Sequence, residues 1–168
     1  MFTVAVLLLA YVPMIAETLL SASHERRLRA AGAIEPRDDV YRFMQVAYPA
    51  CFVAMVGESW LRERGLSATA LAGLGIFAAA KALKYWAMAT LGDRWTFRVL
   101  VPPGSSRTIR GPYRVLRHPN YIAVAAELAG FAVLAQAPIA GTAALLVFVP
   151  IMLARIRVEE RALGLRSG

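Results

Sequence analysis

Long apolar runs separated by short arginine-rich segments dominate the hydropathy pattern of this chain. A membrane-spanning helix needs about 20 mostly apolar residues, and three runs approach or reach that length: residues 2–21, 43–60 and 67–90. Residues 120–135 and 138–154 predict two further helices joined by a tight turn near Ala137-Pro138. The first of the two is short for a full span, so we expect a close hairpin packed within the bundle. The pattern predicts an all-α integral membrane protein with about five transmembrane helices.

The segments between these runs are polar and basic. Residues 21–42 predict a loop with a short interfacial helix, capped by Ser23 and ended by Gly32. This segment contains Arg26, Arg27, Arg29, Arg37 and Arg42. Residues 91–118 carry six arginines, and a loop is marked there by Pro102, Pro103, Gly104, Ser105 and Ser106. Residues 155–168 form another basic segment, which we expect to follow the last helix as a tail.

The composition agrees with a membrane protein. The hydrophobic fraction of 58% over 168 residues and the mean hydropathy of +0.53 exceed the values usual for a soluble domain. Residues 2–20 have no basic n-region and no clear cleavage site, so they predict a retained span rather than a signal peptide. Cys51 is the only cysteine and lies in an apolar run, so we expect a packed side chain rather than a nucleophile.

The net charge of +8 is carried almost entirely by arginine. Fifteen arginines fall in residues 22–42, 91–118 and 155–168, against Arg62 and Arg64 elsewhere. Because positive residues collect on the cytoplasmic side, these three segments are predicted to be cytoplasmic and the N-terminus outside. Nucleic-acid binding is the other reading of a basic chain, but arginines beside apolar spans favour the membrane and no nucleic-acid partner.

Three ionisable side chains fall inside the predicted spans. Glu17 lies near the end of the first span, so exposure to lipid headgroups and a functional role are both open. Lys84 is about 9 Å from the end of its run at 1.5 Å per residue, which allows snorkelling to the surface. Lys81 is deeper, and a functional or paired role is predicted for it.

The densest polar stretch runs from Gly111 to Tyr121 and includes Arg117, His118 and Asn120. Pro119 suits the first turn of a helix, so the polar groups before it stand at a helix entrance. Free backbone N–H groups and the helix dipole favour an anion there. The stretch therefore predicts a site for a cofactor carboxylate or a substrate acid at the membrane surface.

A second polar cluster comprises Arg155, Arg157, Glu159 and Glu160. The predicted topology puts it on the same face as the His118 stretch, and Arg155 and Glu159 are spaced for pairing on one helix face. Glu127 follows Asn120 by seven residues and points down the same wall. Such mixed charges suit a zwitterionic ligand. The alternative is that the two acids only balance neighbouring arginines. The sequence has no phosphate loop, metal-binding spacing or nucleophile elbow.

These residues resemble the isoprenylcysteine carboxyl methyltransferase family, in particular its small bacterial integral-membrane members. The resemblance covers about half of the chain in these blocks: Lys84-Tyr85-Trp86-Ala87-Met88-Ala89-Thr90-Leu91-Gly92-Asp93-Arg94-Trp95-Thr96, Gly111-Pro112-Tyr113-Arg114, Arg117-His118-Pro119-Asn120-Tyr121, Glu127 and Arg155-Ile156-Arg157-Val158-Glu159-Glu160. It implies an S-adenosylmethionine-dependent O-methyltransferase acting at the membrane on a lipophilic acceptor. The methylated group would be a carboxyl, or a phenol or pyrone hydroxyl of a lipid.

The resemblance also implies which residues form the site, with the helical hairpin carrying the cofactor at the cytoplasmic face. Arg117 and His118 are the catalytic candidates. Cofactor binding is implied for His118, Pro119, Tyr121, Glu127, Arg155, Glu159 and Glu160. Acceptor binding is implied for Lys84, Trp86, Trp95 and Arg117. The chain lacks the longer aromatic tail and extra N-terminal spans of the eukaryotic enzymes, so it looks closer to bacterial members that methylate lipid-like phenols or pyrones.

We expect one membrane-embedded domain over residues 1–168, with two N-terminal helices and an interfacial loop in 1–66 and a catalytic core in 67–168. It is predicted to be multi-pass in a bacterial plasma membrane. Two alternatives stay open. One is N-methylation of an ethanolamine headgroup. The other is a small transporter or non-catalytic subunit, in which Glu17, Lys81 and Glu127 line a pathway.

Overall fold

Five α-helices make up most of the chain in the computed structural model, which describes residues 1–36, 39–104 and 107–164. They are α1 (Phe2–Ala30), α2 (Tyr41–Leu61), α3 (Ala68–Leu91), α4 (Pro119–Leu134) and α5 (Pro138–Ala162), with 3-10 turns at Gly92–Arg94 and Gly111–Arg114. Among the described residues, extended pairing is limited to one bridge between Ile34 and Val101. The all-α prediction is confirmed. Several residues used in the sequence predictions lie outside the described ranges: Arg37, Ser105, Ser106, Arg166 and Gly168.

The first helix is longer than predicted. It continues to Ala30, so the predicted loop from residue 21 and the separate interfacial helix are wrong. The polar last turns stay helical because one face is buried: Ser21, His24 and Leu28 recur at helical spacing. Ser21 and His24 contact the segment after α3. Gly32, with φ +81°, lies just past the end of the helix.

The last helix is also longer than predicted. It runs through Ala162, so the described part of the predicted tail is mostly helical. Arg155, Val158 and Glu160 are buried there, and these contacts stabilise turns that the apolar pattern alone does not predict.

The helix pair α3 and α4 packs closely because two glycines remove side chains from the contact. A Cβ on Gly73 would lie 2.1 Å from the Leu134 backbone nitrogen, and one on Gly130 would lie 2.7 Å from the Phe77 nitrogen. The Phe131 ring of α4 lies beside this contact, with its centroid 5.7 Å from that of Phe77. The backbones of the two helices therefore touch, and α4 is held inside the bundle as predicted for the hairpin.

The two ends of the bundle differ in chemistry. At one end, the α4–α5 turn contacts the α2–α3 loop, where Gln136 Nε2 donates to the Gly65 carbonyl at 2.8 Å. Glu58 also accepts from the Ala140 backbone nitrogen at 2.6 Å. The other end, here called the arginine-rich end, holds the α1–α2 loop, residues 92–118 and the end of α5. These segments are joined there by the Ile34–Val101 bridge.

α1 and α5 are long and apolar enough to cross a membrane, and α4 is a shorter apolar helix. Apolar side chains are exposed on their outer surfaces, among them Leu8, Val12, Leu19, Leu146 and Val147. Contiguous exposed apolar surface of this kind marks contact with lipid or protein. Passage of all five helices through a membrane stays a prediction.

Candidate functional site

A cavity of about 420 Å³ lies at the arginine-rich end and continues between the helices. This volume is in the range of small-molecule sites, about 300–1,000 Å³. The mouth is lined by Arg94, Arg107, Tyr113, Arg117, His118 and Glu159. The deeper part is lined by Met14, Met44, Tyr48, Lys84, Val124 and Phe148. The cavity therefore joins a charged mouth to a largely apolar interior.

The two predicted polar clusters meet at this mouth. α4 begins at Pro119 with His118 as the preceding cap residue, as the sequence predicts. His118 Nε2 donates to Glu160 Oε1 at 3.0 Å, and Arg117 Nη1 lies 3.4 Å from the same oxygen. Glu160 is buried and does not line the cavity, so it orients the His118 imidazole from behind.

Tyr121 links the remaining members of the clusters. Its hydroxyl donates to Glu159 Oε2 at 2.7 Å and accepts from Arg155 Nε at 3.1 Å. The predicted pair of Arg155 and Glu159 is thus connected through Tyr121. Burial and the negative charge of Glu159 raise the pKa of the neighbouring Tyr113 phenol above its ordinary value, so this phenol stays protonated.

Residues 95–101, here called the covering segment, form one wall of the cavity. Arg155 Nη1 donates to Asp39 Oδ1 at 3.0 Å, and Asp39 Oδ2 accepts from the Val99 nitrogen at 3.0 Å. Arg155 also donates to the Phe97 carbonyl. Through these bonds, α5 and the α1–α2 loop hold the covering segment in place.

α1 contributes further contacts to the covering segment. His24 Nδ1 donates to the Trp95 carbonyl at 2.8 Å, and the Phe97 nitrogen donates to Ser21 Oγ at 2.8 Å. Sequence reasoning missed His24, Ser21 and Asp39 because their partners are 60 to 76 residues away. No local pattern distinguishes them from the polar residues beside them.

The ion pair between Arg98 and Glu35 adds a charged link, with Arg98 Nη1 2.7 Å from Glu35 Oε1. Burial by itself raises the pKa of the Glu35 carboxyl. Hydrogen bonds from Arg29 and Arg98 outweigh burial and hold that pKa below its ordinary value. Glu35 is therefore ionised at neutral pH.

Of the four residues predicted to bind the acceptor, the structure places three at the cavity and one away from it. Trp95 is 3% exposed and lines the cavity. Its Nε1 donates to Asn120 Oδ1 at 3.4 Å. Trp86 is 56% exposed and does not line the cavity. Lys84 and Arg117 do line it.

Lys84 belongs to a group of residues from α1 to α4 here called the buried charge cluster: Glu17, Tyr48, Lys81, Lys84 and Glu127. Lys84 is 2% exposed and its Nζ lies 2.6 Å from Glu17 Oε2, so it does not use the snorkelling that its position allows. Glu17 is equally buried, which excludes exposure to headgroups. Lys81 is paired, with its Nζ 2.8 Å from Glu17 Oε1. Glu127 is 0% exposed and lies behind the cavity wall.

The charges around the cavity suit a ligand that carries both signs. Arg94, Arg107 and Arg117 can bind a carboxylate, and Glu159 can bind a cation. The apolar interior suits a hydrocarbon chain. The mouth thus suits a polar ligand and the interior a lipophilic one.

Comparison with known proteins shows to which family this chain belongs. A model of the isoprenylcysteine carboxyl methyltransferase family matches residues 73–164. The uncharacterized protein YpbQ of Bacillus subtilis is 28% identical over 148 residues, which cover 88% of each chain. An uncharacterized protein of Haemophilus influenzae is 27% identical over 146 residues, covering 86% of this chain and 85% of that protein. No solved structure matches. The family model spans more than half of the chain and includes both polar clusters at the cavity mouth, so this protein belongs to the isoprenylcysteine carboxyl methyltransferase family.

Proposed function

We propose that the protein is an S-adenosylmethionine-dependent O-methyltransferase that acts at the membrane on a lipophilic acceptor. Family membership indicates methyl transfer. The observation that carries the proposal is the meeting of the His118 stretch and the Glu159-Glu160 pair at the mouth of a cavity that continues between helices. The methylated group is a carboxyl, or a phenol or pyrone hydroxyl of a lipid.

The residues at the mouth fit this cofactor. S-adenosylmethionine carries a carboxylate, an ammonium and a sulfonium, and the mouth has arginines for the anion and Glu159 for a cation. Arg117 and His118 border the mouth, and Pro119 sets the start of α4 behind them. Tyr121 lines the cavity between Arg155 and Glu159. Glu160 contributes by orienting His118.

When bound, this cofactor supplies a methyl group on a sulfonium, which is a good leaving group. The protein therefore mainly has to align the acceptor and exclude water. The covering segment, held by Arg155 and Asp39, provides a wall that excludes water from the mouth. His118 is suited to binding, because Glu160 already fixes one of its ring nitrogens.

The charge of the cavity favours an oxygen acceptor over an amine. The acidic residue in its lining is Glu159, whereas the basic residues are Lys84 and five arginines. The arginines are Arg94, Arg98, Arg107, Arg117 and Arg155. The ammonium of an ethanolamine headgroup would be repelled there, whereas a carboxylate or an ionised hydroxyl is attracted. Met14 and Met44 of α1 and α2 line the deeper cavity, where an alkyl chain fits.

A transporter is less well supported. Glu17, Lys81 and Glu127 are paired with one another rather than lining the cavity. We propose that all five helices cross a bacterial plasma membrane, with the arginine-rich end in the cytoplasm. The cavity mouth then faces the cytoplasmic pool of cofactor, and the deeper cavity faces lipid.

The test is methyl transfer by the purified, detergent-solubilised protein. Bacterial lipid extract is incubated with cofactor labelled in its methyl group, and the labelled lipids are treated with base. We expect a labelled lipid, whose base lability identifies an ester and whose base stability identifies an ether. Glu159→Gln serves as the matched variant and Glu58→Gln, at the opposite end, as the control. Absence of cofactor binding, measured by calorimetry, would contradict the proposal.

A further inference from the structure

The buried charge cluster is the feature of the fold that cofactor binding leaves unexplained. Two carboxylates and two ammonium groups meet there: Glu17, Lys81, Lys84 and Glu127. Lys84 Nζ and Lys81 Nζ each lie 3.4 Å from Glu127 Oε2. Burying such pairs costs so much desolvation that they add little to stability compared with apolar residues. Ionisable groups retained in the apolar interior of a membrane bundle therefore point to a function.

One side of this cluster reaches the cavity. Tyr48 and Lys84 line the deeper cavity, and Glu17, Lys81 and Glu127 lie behind them. The Tyr48 hydroxyl donates to Glu127 Oε2. Tyr48 thus connects the space available to an acceptor with a carboxylate that has no direct contact with the cavity.

Glu127 has one carboxylate oxygen that takes no part in the contacts with Tyr48 and the two lysines. Its Oε1 atom is buried and has no hydrogen-bond partner among the described residues. Unsatisfied buried polar atoms are rare in folded proteins, and a catalytic role is one of the explanations for them. The two lysines place positive charge 3.4 Å from this carboxylate, and Tyr48 offers a path by which a proton can reach it.

We propose that Tyr48 and Glu127 form a relay that accepts the proton of an acceptor hydroxyl, with Lys81 and Lys84 beside Glu127 as its counter-charges. This inference rests on the proposed function and commits it to a lipophilic phenol or enol. A carboxylic acid acceptor is already ionised at neutral pH and has no need of such a relay.

The step balances in atoms and charge. The acceptor hydroxyl gives its proton to the Tyr48 oxygen as the Tyr48 proton moves to Glu127 Oε2. The acceptor oxygen forms its bond to the methyl carbon as the carbon–sulfur bond breaks, and that electron pair stays on sulfur. One positive charge is lost at sulfur and one negative charge is lost at Glu127, so the total charge in the cavity region is unchanged. After the product leaves, water in the cavity takes the proton back through Tyr48.

The experiment compares Tyr48→Phe with Tyr11→Phe, using two acceptors. Tyr11 is a matched control because its hydroxyl also donates a hydrogen bond to another helix, from α1 to the Pro49 carbonyl of α2, and it does not line the cavity. One acceptor is a long-chain alkylphenol, whose pKa is about 10 like that of tyrosine. The other is the same alkylphenol with a nitro group, which is largely ionised at the assay pH.

We expect Tyr48→Phe to lower kcat for the alkylphenol by about 10²–10⁴, the usual contribution of a general base. The nitro-substituted acceptor should be methylated at close to the wild-type rate, because its proton is already gone. Tyr11→Phe should leave both rates unchanged. Binding of the alkylphenol without cofactor, followed by quenching of tryptophan fluorescence, should be the same in all three proteins.

Glu127→Gln provides a second test. It removes a charge from the cluster, whereas Tyr48→Phe keeps every charge. Its rate pattern should match that of Tyr48→Phe. Equal losses with both acceptors would indicate a structural role and overturn the relay, as would unchanged rates or a wild-type protein that methylates only carboxylic acids. A wild-type protein that methylates no acceptor would overturn the proposed function as well.

The pH profile gives a readout that a structural role would not change. The groups around Glu127 are Glu17 from α1, Tyr48 from α2, and Lys81, Lys84 and Tyr85 from α3. If Glu127 is the base, kcat for the alkylphenol in the wild-type protein rises with pH well below the pKa of the acceptor itself, about 10, and this rise is lost in Glu127→Gln. A rising limb that persists unchanged in Glu127→Gln would overturn the assignment.

Discussion

Glu159 and Glu160 are neighbours in sequence but face different partners. Successive residues of a helix point about 100° apart, so Glu159 contacts Tyr121 at the cavity and Glu160 contacts His118 behind it. Glu160 is buried, and a buried hydrogen-bonded charge is costly to change.

The two acids should therefore respond differently to substitution. Glu159→Gln should weaken cofactor binding by about 1–3 kcal/mol, the range for a lost charged hydrogen bond, through direct contact. Glu160→Gln should act through His118, so its effect should largely vanish when His118 is already replaced by Asn. Calorimetry on the single and double variants measures this coupling. Additive effects of Glu160→Gln and His118→Asn would contradict the orienting role.

Among the elements, α3 and α4 show how small residues set the architecture. Gly73 and Gly130 let the two backbones touch, and this contact brings Lys81 and Lys84 of α3 to Glu127 of α4. The glycines carry no chemistry of their own. Their absence of side chains fixes the distance across which the buried charge cluster forms.

Substitution of Gly73 tests this contact, with Gly75 of the same helix as the control. A Cβ at Gly73 meets the Leu134 backbone, whereas one at Gly75 meets nothing within 4 Å. Gly73→Ala should lower the free energy of unfolding by about 1–3 kcal/mol through overpacking. Gly75→Ala should raise it by about 0.5–1 kcal/mol through reduced chain entropy. Thermal unfolding in detergent measures both, and equal effects would show that the contact is not tight.

Considering the whole molecule, three segments far apart in sequence meet at one end of the bundle. The α1–α2 loop bonds to α5 through Asp39 and Arg155, and α4 bonds to α5 through His118 and Glu160. The end of the bundle that collects most of the arginines, as predicted, is thus also the end that carries the cavity mouth. Arg62 and Arg64 lie at the opposite end, beside the α4–α5 turn.

This arrangement predicts the orientation in the membrane. A reporter fused after Gly168 should be cytoplasmic, and a cysteine introduced at Gly65 should react with an impermeant thiol reagent added outside the cell. The reason is the positive-inside rule applied to the arginine-rich end. Replacing Cys51, the only native cysteine, with serine provides a clean background. Cytoplasmic location of both sites would overturn the five-span topology.

The sequence by itself determined the features that depend on local pattern. The bounds of α2, α3 and α4 agree with the apolar runs within two residues, because run length and helix period are encoded in neighbouring residues. Pro119 marks the start of α4, since its fixed φ and missing N–H suit the first helical turn. The blocks around His118 and Glu159 were enough to indicate the family.

Only the tertiary structure decided which partners the polar side chains of the helices contact. Glu17 and Lys84 look exposed from their distance to the ends of the runs, yet they pair across 67 residues. Residues 21–30 remain helical because the covering segment buries their polar face. Trp95 belongs to the covering segment and therefore lies in the cavity wall. Each outcome depends on which distant partner a polar group meets, and a buried charge is tolerated only where that partner exists.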